Sequence, residues 1–430
     1  MSSLICTSAH HMREQAVEFH LSNQVDHDVR QSEPPSCPDD HREPEQKQIS
    51  ALKSIFRYAR MFTLHLNPVW FTMTMGTGEI ALFMKALPYK FNGSDIIGIV
   101  FFGIALFSFL LFLTLSVVRF LVWPQVLSIL LHSPQSEFFG ALPMGLSTLL
   151  NFCALHFVSG RSGSFRFFVW ALWWVNVVVS VLFCCGIMFL KSTRHSQSLG
   201  TITGIWLLPI IAVIVAGGSG SIISESLPVQ HAKITIVLSY MLVGGGLCVT
   251  FFGMTLYYAR LAFHKVPAAS LIITVFIPLG PCAQTAFAFL RLSTAISELY
   301  SDFGQPLIGS RLLSPEDTRI MNLGIQGCSI LMAVGFWGLS FFWLSLGLSI
   351  WIDTWIVTKL KFNPGWWGAV FPLGIYALST IEMGTAFDSG AFKKLSIVFG
   401  LCAILVWLLM VSLTLYSIAR GKVYVCKMCE

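Results

Sequence analysis

The residue patterns with chemical content lie inside apolar stretches of the chain. Phe362 to Gly384 reads FNPGWWGAVFPLGIYALSTIEMG, with Pro372 and Gly374 directly after Phe371. A proline inside a helix removes a backbone donor and crowds the preceding turn, which predicts a kink or opening at that point. In lipid such a break is tolerated only where protein or a water-filled cavity satisfies the freed groups. Comparable breaks recur at Leu142-Pro143-Met144-Gly145, Leu208-Pro209 and Ile277-Pro278-Leu279-Gly280-Pro281, and Gly76-Thr77-Gly78 sits at similar depth in the first apolar stretch. Broken helices around a cavity present half-helix N-termini, whose partial positive charge favours anions. Prolines that merely bend packed helices are the other reading. Their occurrence in alternating stretches favours the shared pathway.

Several side chains on these stretches carry chemistry of their own. Glu79 follows the glycines near mid-bilayer, where a carboxylate normally faces a cavity or a partner. It either carries a proton or stays neutral and hydrogen-bonded, supporting a bend at Gly76–Gly78. Asn151, Gln284, Thr77 and Thr380 are positioned to contact an oxyanion or, as such groups often do, to bond one helix to the next. Phe371 is either a gate at the bend or ordinary packing. Lys85 and Glu382 lie nearer the ends of their stretches and are expected to snorkel. The broken stretches offer no lysine or arginine near their centres, which argues for weak, dipole-based handling of an anion and suits conduction.

These residues must be held by membrane helices. Of the 430 residues 55% are hydrophobic and 11% charged, with a mean hydropathy of +0.73. That balance predicts an all-α polytopic membrane protein and excludes a soluble domain. Ten spans are expected, at about 68–88, 95–118, 136–158, 165–190, 199–219, 231–258, 268–291, 320–350, 364–384 and 392–418. The odd spans carry the breaks and the even ones have no internal proline. The breaks recur roughly every 67 residues, which reads as a helical hairpin repeated five times. The expected architecture is an inner ring of kinked odd helices around a central pore, with straight even helices outside.

Residues 1–48 are polar and read as a cytoplasmic disordered tail. Residues 49–66 pattern as an amphipathic interfacial helix, 67–419 as the transport domain with an extracellular polar insertion at 293–319, and 420–430 as a second cytoplasmic tail. No cleavable signal peptide is visible at the start. Lys and Arg are modestly enriched on the side of the termini, which favours placing both in the cytoplasm. The formal charge of +6 is dispersed, so nucleic acid is not an expected partner. Most of the eleven cysteines fall inside spans (among them Cys153, Cys184, Cys185, Cys248, Cys282, Cys328 and Cys402) and read as small apolar residues. A lone Cys426-Lys-Met-Cys429 lacks two further ligands for zinc. Histidines do not cluster as an intramembrane metal enzyme would require. No catalytic set, metal or cofactor is expected.

With these motifs in place, the chain resembles the tellurite-resistance/dicarboxylate transporter family, which includes plant slow anion channels, fungal malate transporters and fungal sulfite efflux pumps. The resemblance rests on Asn67-Pro-Val-Trp-Phe-Thr-Met-Thr-Met-Gly-Thr-Gly78 closing with Leu87-Pro88-Tyr89, and on Phe371-Pro372-Leu373-Gly374. It runs from about Asn67 to Ala419. Two further stretches, from Trp206 to Gly220 and from Phe276 to Gln284, are similar to the sulfite efflux branch. The resemblance implies a plasma-membrane transporter of a small inorganic anion (sulfite or bisulfite) or of a dicarboxylate. It also implies a pore closed by Phe371 and a homo-oligomer, trimeric in the channel relatives. Glu79 and the pair Cys282-Ala283 depart from the family pattern.

Overall fold

In the computed structural model, Asn67-Pro68 opens the membrane part with a short 3-10 turn, Pro68–Trp70, before α-helix begins. The Asn67 carboxamide accepts from the Val69 N–H at 2.9 Å, a bond that satisfies a first-turn donor. The same device returns near the other end of the chain. There Asn363 accepts from the Gly365 N–H at 2.9 Å and starts the 3-10 segment Pro364–Ala369.

The structure describes residues 60, 62–64, 66–132, 134–158, 163–308 and 314–420. The helices below lie in one unit, Asn67–Tyr424; of the other, Met1–Leu66 with Val425–Glu430, the described residues 60 and 62–64 are helical. The expected tail 1–48, most of the interfacial helix 49–66 and the Cys426/Cys429 pair lie outside the described residues.

Ten helices of sixteen residues or more follow among the described residues: α1 Phe71–Ala86, α2 Ser94–Val122, α3 Ala141–His156, α4 Phe165–Thr193, α5 Leu208–Ser224, α6 Val229–His264, α7 Leu279–Phe303, α8 Pro315–Val357, α9 Val370–Ala386 and α10 Gly390–Ala419. No strand occurs among the described residues. Among the described residues eight helical segments, counted with their 3-10 turns, are long and apolar enough to cross a bilayer; those of α1 and α9 are not among them.

The prolines do not kink these helices in their middles. Each odd helix is instead preceded by a 3-10 segment: Pro68–Trp70, Pro134–Gly140, Gly204–Leu207, Ala269–Phe276 and Pro364–Ala369. Pro143, Pro209 and Pro372 then fall within the first three residues of α3, α5 and α9, and Pro278 is the N-cap of α7. First-turn amides have no intrahelical partner, so proline costs nothing there. The break is thus a change of helix type and not a bend. Gly76 and Gly78 differ again, because α1 runs through both without interruption. A Cβ at Gly76 would lie 2.8 Å from Val370 Cβ, and one at Gly78 would lie 2.8 Å from Thr148 Cβ. Those glycines let α9 and α3 approach closely and do not open the helix.

Burial separates the helices into two kinds. In the most apolar window of Gly204–Ser224 every residue is buried, and in that of Ala269–Phe303 94% are; the windows in α2, α4 and α10 reach 28%. The outer helices expose Phe107, Leu182, Phe252, Leu331 and Leu405, as lipid-facing surfaces do. Helix contacts run α1 to α3, α3 to α5, α5 to α7, α7 to α9 and α9 back to α1. Each even helix also packs on the odd helix before it.

Indole N–H groups join the two kinds. Trp407 Nε1 on α10 donates to Thr77 Oγ1 at 2.9 Å, Trp337 Nε1 on α8 donates to Thr380 Oγ1 at 2.9 Å, and Trp173 Nε1 on α4 donates to the Ala216 carbonyl at 2.9 Å. A buried indole gains from such an acceptor, although Nε1 of Trp343, Trp351 and Trp366 has no hydrogen-bond partner among the described residues.

One boundary in particular differs from the sequence reading. The segment expected as an insertion from 293 begins as further turns of α7, which continues to Phe303 with Ala295, Ile296 and Leu299 buried. Apolar residues at helical spacing there outweigh the local polar composition. Consequently Arg291 sits mid-helix in α7 and not at a loop edge.

Replacing Gly76 by Ala should destabilise the protein by about 1–3 kcal/mol through overpacking against Val370. Thermal unfolding in detergent would register this as a lowered Tm, and an unchanged Tm would mean that α9 can move aside.

Candidate functional site

The contacts among α1, α3, α5, α7 and α9 leave a cavity of about 280 Å³ between them. All five odd helices supply lining residues and no even helix does. The lining has two zones. Glu79, Thr148, Asn151 and Gln284 are buried polar residues deeper along the helices, among Leu82, Val215, Phe287, Ile375 and Leu378. Lys85, Arg291, Glu382 and Thr385 form a charged zone nearer the helix C-termini.

The deep zone contains unsatisfied acceptors. Glu79 is 2% exposed, and its Oε1 has no hydrogen-bond partner among the described residues. Asn151 is 4% exposed, and its Oδ1 is likewise unpaired. A Cβ on Gly374 would meet Glu79 Cγ at 2.7 Å, so the glycine on α9 makes the room that the carboxylate side chain occupies. Buried polar atoms are rarely left without partners, so a cavity that gathers them is suited to a polar occupant.

The charged zone centres on Arg291. Its Nη2 donates to Glu225 Oε1 just beyond the end of α5, and its Nη1 lies 3.6 Å from Glu382 Oε1 on α9. Its Nε–H has no hydrogen-bond partner among the described residues. Lys85 Nζ lies 3.5 Å from Asp95 Oδ1 at the start of α2, with its side chain 23% exposed.

Phe371 is not in the cavity lining. It is 2% exposed at the second position of α9, one helical turn before the lining residue Ile375. A Cβ on Gly280, at the second position of α7, would sit 3.6 Å from Pro372 Cγ and 4.0 Å from Phe371 Cε1. Gly280, Phe371 and Pro372 therefore pack together at the N-terminal end of the cavity.

Of the residues singled out from sequence, the structure brings Glu79, Asn151 and Gln284 to the cavity. Gly76, Gly78, Pro143, Pro209, Pro278, Gly280 and Pro372 shape the helices around it. Thr77 and Thr380 face away, because their hydroxyls receive Trp407 and Trp337 and donate to the carbonyls of Met73 and Tyr376. Lys85 and Glu382, expected to snorkel, also line the cavity, and Lys85 reaches the half-exposed Asp95. Arg291 adds a cation to the lining at the level of the helix C-termini, which the sequence reading did not single out. Its signal in the sequence was spacing: Gln284, Phe287 and Arg291 recur every three or four residues on one face of α7.

An all-helical membrane protein with a polar cavity between its buried helices is the architecture of a transporter or channel. Residues 65–415 match the voltage-dependent anion channel family, SLAC1, and the chain belongs to that family. Its members are transporters and channels and not enzymes. The chain is 33% identical over 365 residues to the sulfite efflux pump SSU1 of Arthroderma benhamiae, covering 84% of this chain and 92% of that protein. It is equally similar to the sulfite efflux pump SSU1 of Trichophyton rubrum, at 33% over the same shares. The malic acid transport protein of Schizosaccharomyces pombe is 23% identical over 351 residues, with 81% of this chain and 77% of that protein covered.

Asn151→Ala and Gln284→Ala should each change anion flux at least severalfold. Thr77→Val should leave flux within about twofold while lowering stability by roughly 1 kcal/mol through the lost Trp407 bond. Anion flux in proteoliposomes and Tm in detergent, measured on the same preparations, separate the two classes.

Proposed function

We propose that the chain exports sulfite or bisulfite across the plasma membrane through the cavity between α1, α3, α5, α7 and α9. In this reading the ten helices are five transmembrane hairpins, and the odd helices form an inner ring around the path. The observation that carries it is the lining: five helices, one from each hairpin, contribute residues, and their even partners contribute none. The α-helical N-termini that follow the five 3-10 segments add partial positive charge at one end of the ring, which favours an anion. The substrate assignment rests on the two sulfite efflux pumps, which match this chain over most of its length.

Phe371 is the proposed gate. The cavity ends about one turn short of it, and Gly280 and Pro372 pack beside it, so its ring closes the continuation of the path. Glu79 is the proposed proton site, with an unpaired carboxylate oxygen in the lining. Both termini are placed in the cytoplasm, because Arg119, Lys191 and Arg260 lie near the C-terminal ends of α2, α4 and α6. The cavity then opens outward. A homo-oligomer, as in channel relatives, would cover part of the exposed outer helices.

A malate-type carrier is the second reading, favoured by the match to the malic acid transport protein. A doubly charged cargo calls for unneutralised basic residues. Arg291 is flanked by two carboxylates and Lys85 by one.

Expressed in a sulfite-sensitive yeast, the protein should restore growth on sulfite, whereas malate uptake without sulfite tolerance would favour the second reading. Phe371→Ala should raise anion conductance severalfold; unchanged currents at equal expression would remove the gate. Glu79→Gln should flatten the pH dependence of flux, and a pH profile identical to the unmodified protein would exclude the proton role.

A further inference from the structure

Arg291 is the one arginine in the cavity lining, and its surroundings are unlike those of an ordinary salt bridge. Two carboxylates from different elements hold its guanidinium: Glu225 beyond α5 and Glu382 on α9. Glu298, two turns further along α7, adds a third negative charge within electrostatic reach. Arg291 and Glu382 both face the cavity, with side chains 16% and 15% exposed. The Nε–H keeps a donor that no described residue uses. Guanidinium groups bind oxyanions through such donors.

We propose that Arg291 contacts the anion at the mouth of the cavity, and that Glu225 and Glu382 set the charge class of the cargo, passing singly charged oxyanions and holding back doubly charged ones. The proposal deepens the function above and rests on the cavity being the transport path. Around the mouth Arg291, Lys85 and Lys90 stand against Glu225, Glu382, Glu298 and Asp95, which leaves a net negative charge. The Arg291 guanidinium, which lines the cavity, supplies a directed hydrogen bond to an oxyanion that displaces one of its carboxylate partners. Repulsion from the surplus carboxylate doubles when the ion carries two charges in place of one. Deeper in the cavity Glu79, when ionised, adds to this penalty, and the unpaired Asn151 Oδ1 can accept a proton donor carried by the ion. A singly charged oxyanion with its own hydrogen, as bisulfite is, meets both conditions. The paired arrangement also explains how an arginine can line an anion path without trapping its cargo, since the carboxylates compete with the passing ion for the same guanidinium.

The test uses the full chain in liposomes and two simple probes, nitrate for one charge and sulfate for two. The unmodified protein should carry nitrate at least tenfold faster than sulfate. Glu382→Gln and Glu225→Gln each remove one negative charge and keep the side-chain shape. Each should raise the sulfate-to-nitrate ratio about tenfold, the scale of one unscreened charge at this range. Arg291→Gln should lower nitrate flux at least tenfold, with Arg291→Lys recovering part of it. An unmodified protein that carries sulfate as fast as nitrate overturns the proposal without any variant. So do Glu382→Gln and Glu225→Gln proteins whose ratio stays unchanged. A protein that moves nitrate and sulfite but shows no charge preference defeats this proposal alone, whereas one that moves no anion defeats the transport reading as well.

Discussion

The constraint on which the structure depends is that every backbone N–H and C=O within a bilayer needs a partner from the protein. A change from 3-10 to α-helix leaves groups at the junction that lipid cannot satisfy. The five junctions occur at the starts of α1, α3, α5, α7 and α9, the helices that other helices surround. Asn67 and Asn363 cap two of the 3-10 segments, and prolines occupy first-turn positions where no donor is needed. The outer helices, open to lipid along much of their length, run as unbroken α-helix for 29 to 43 residues. One rule about hydrogen bonding thus sorts the chain into two kinds of helix.

The same rule acts on side chains. Tryptophans on or beside outer helices bring indole N–H groups into a setting without water, and hydroxyls or carbonyls of neighbouring helices accept them. These bonds use Thr77 and Thr380 and turn their hydroxyls away from the cavity. In the cavity lining, three polar groups have no hydrogen-bond partner among the described residues: Glu79 Oε1, Asn151 Oδ1 and the Nε–H of Arg291. Each unpaired group is costly in a buried setting, which points to an occupant that satisfies it. Packing of the outer shell and chemistry of the inner one are therefore linked.

Charge follows a related logic. A lone arginine between membrane helices would be expensive, and Glu225 and Glu382 reduce that cost by compensating its charge. Compensation also moderates its attraction for anions. A transport path needs binding strong enough to admit an ion and weak enough to release it. In the proposed path, the arrangement around Arg291 would meet both demands with three side chains drawn from three parts of the chain.

Membership among all-helical membrane proteins was legible in the sequence because hydropathy is a local property, averaged over the length that spans a bilayer. The positions of the prolines were legible too, but not their effect: they fall at α-helix starts after 3-10 segments and do not kink the helices in their middles. Glu79, Asn151 and Gln284 were found because a polar residue in an apolar run stands out. The direction in which a side chain points was not available. Thr77 and Thr380 lie on the same helices as the cavity residues, and only the position of Trp407 and Trp337 shows that they face outward. Arg291 was hidden for another reason: a charge at the end of an apolar run reads as a loop until α7 is seen to continue past it. Its partners, Glu225 and Glu382, lie 66 and 91 residues away in the chain. Local composition fixes which segments become helices. Which of their faces meet, and so which charges are neutralised, is settled by packing between residues far apart in sequence.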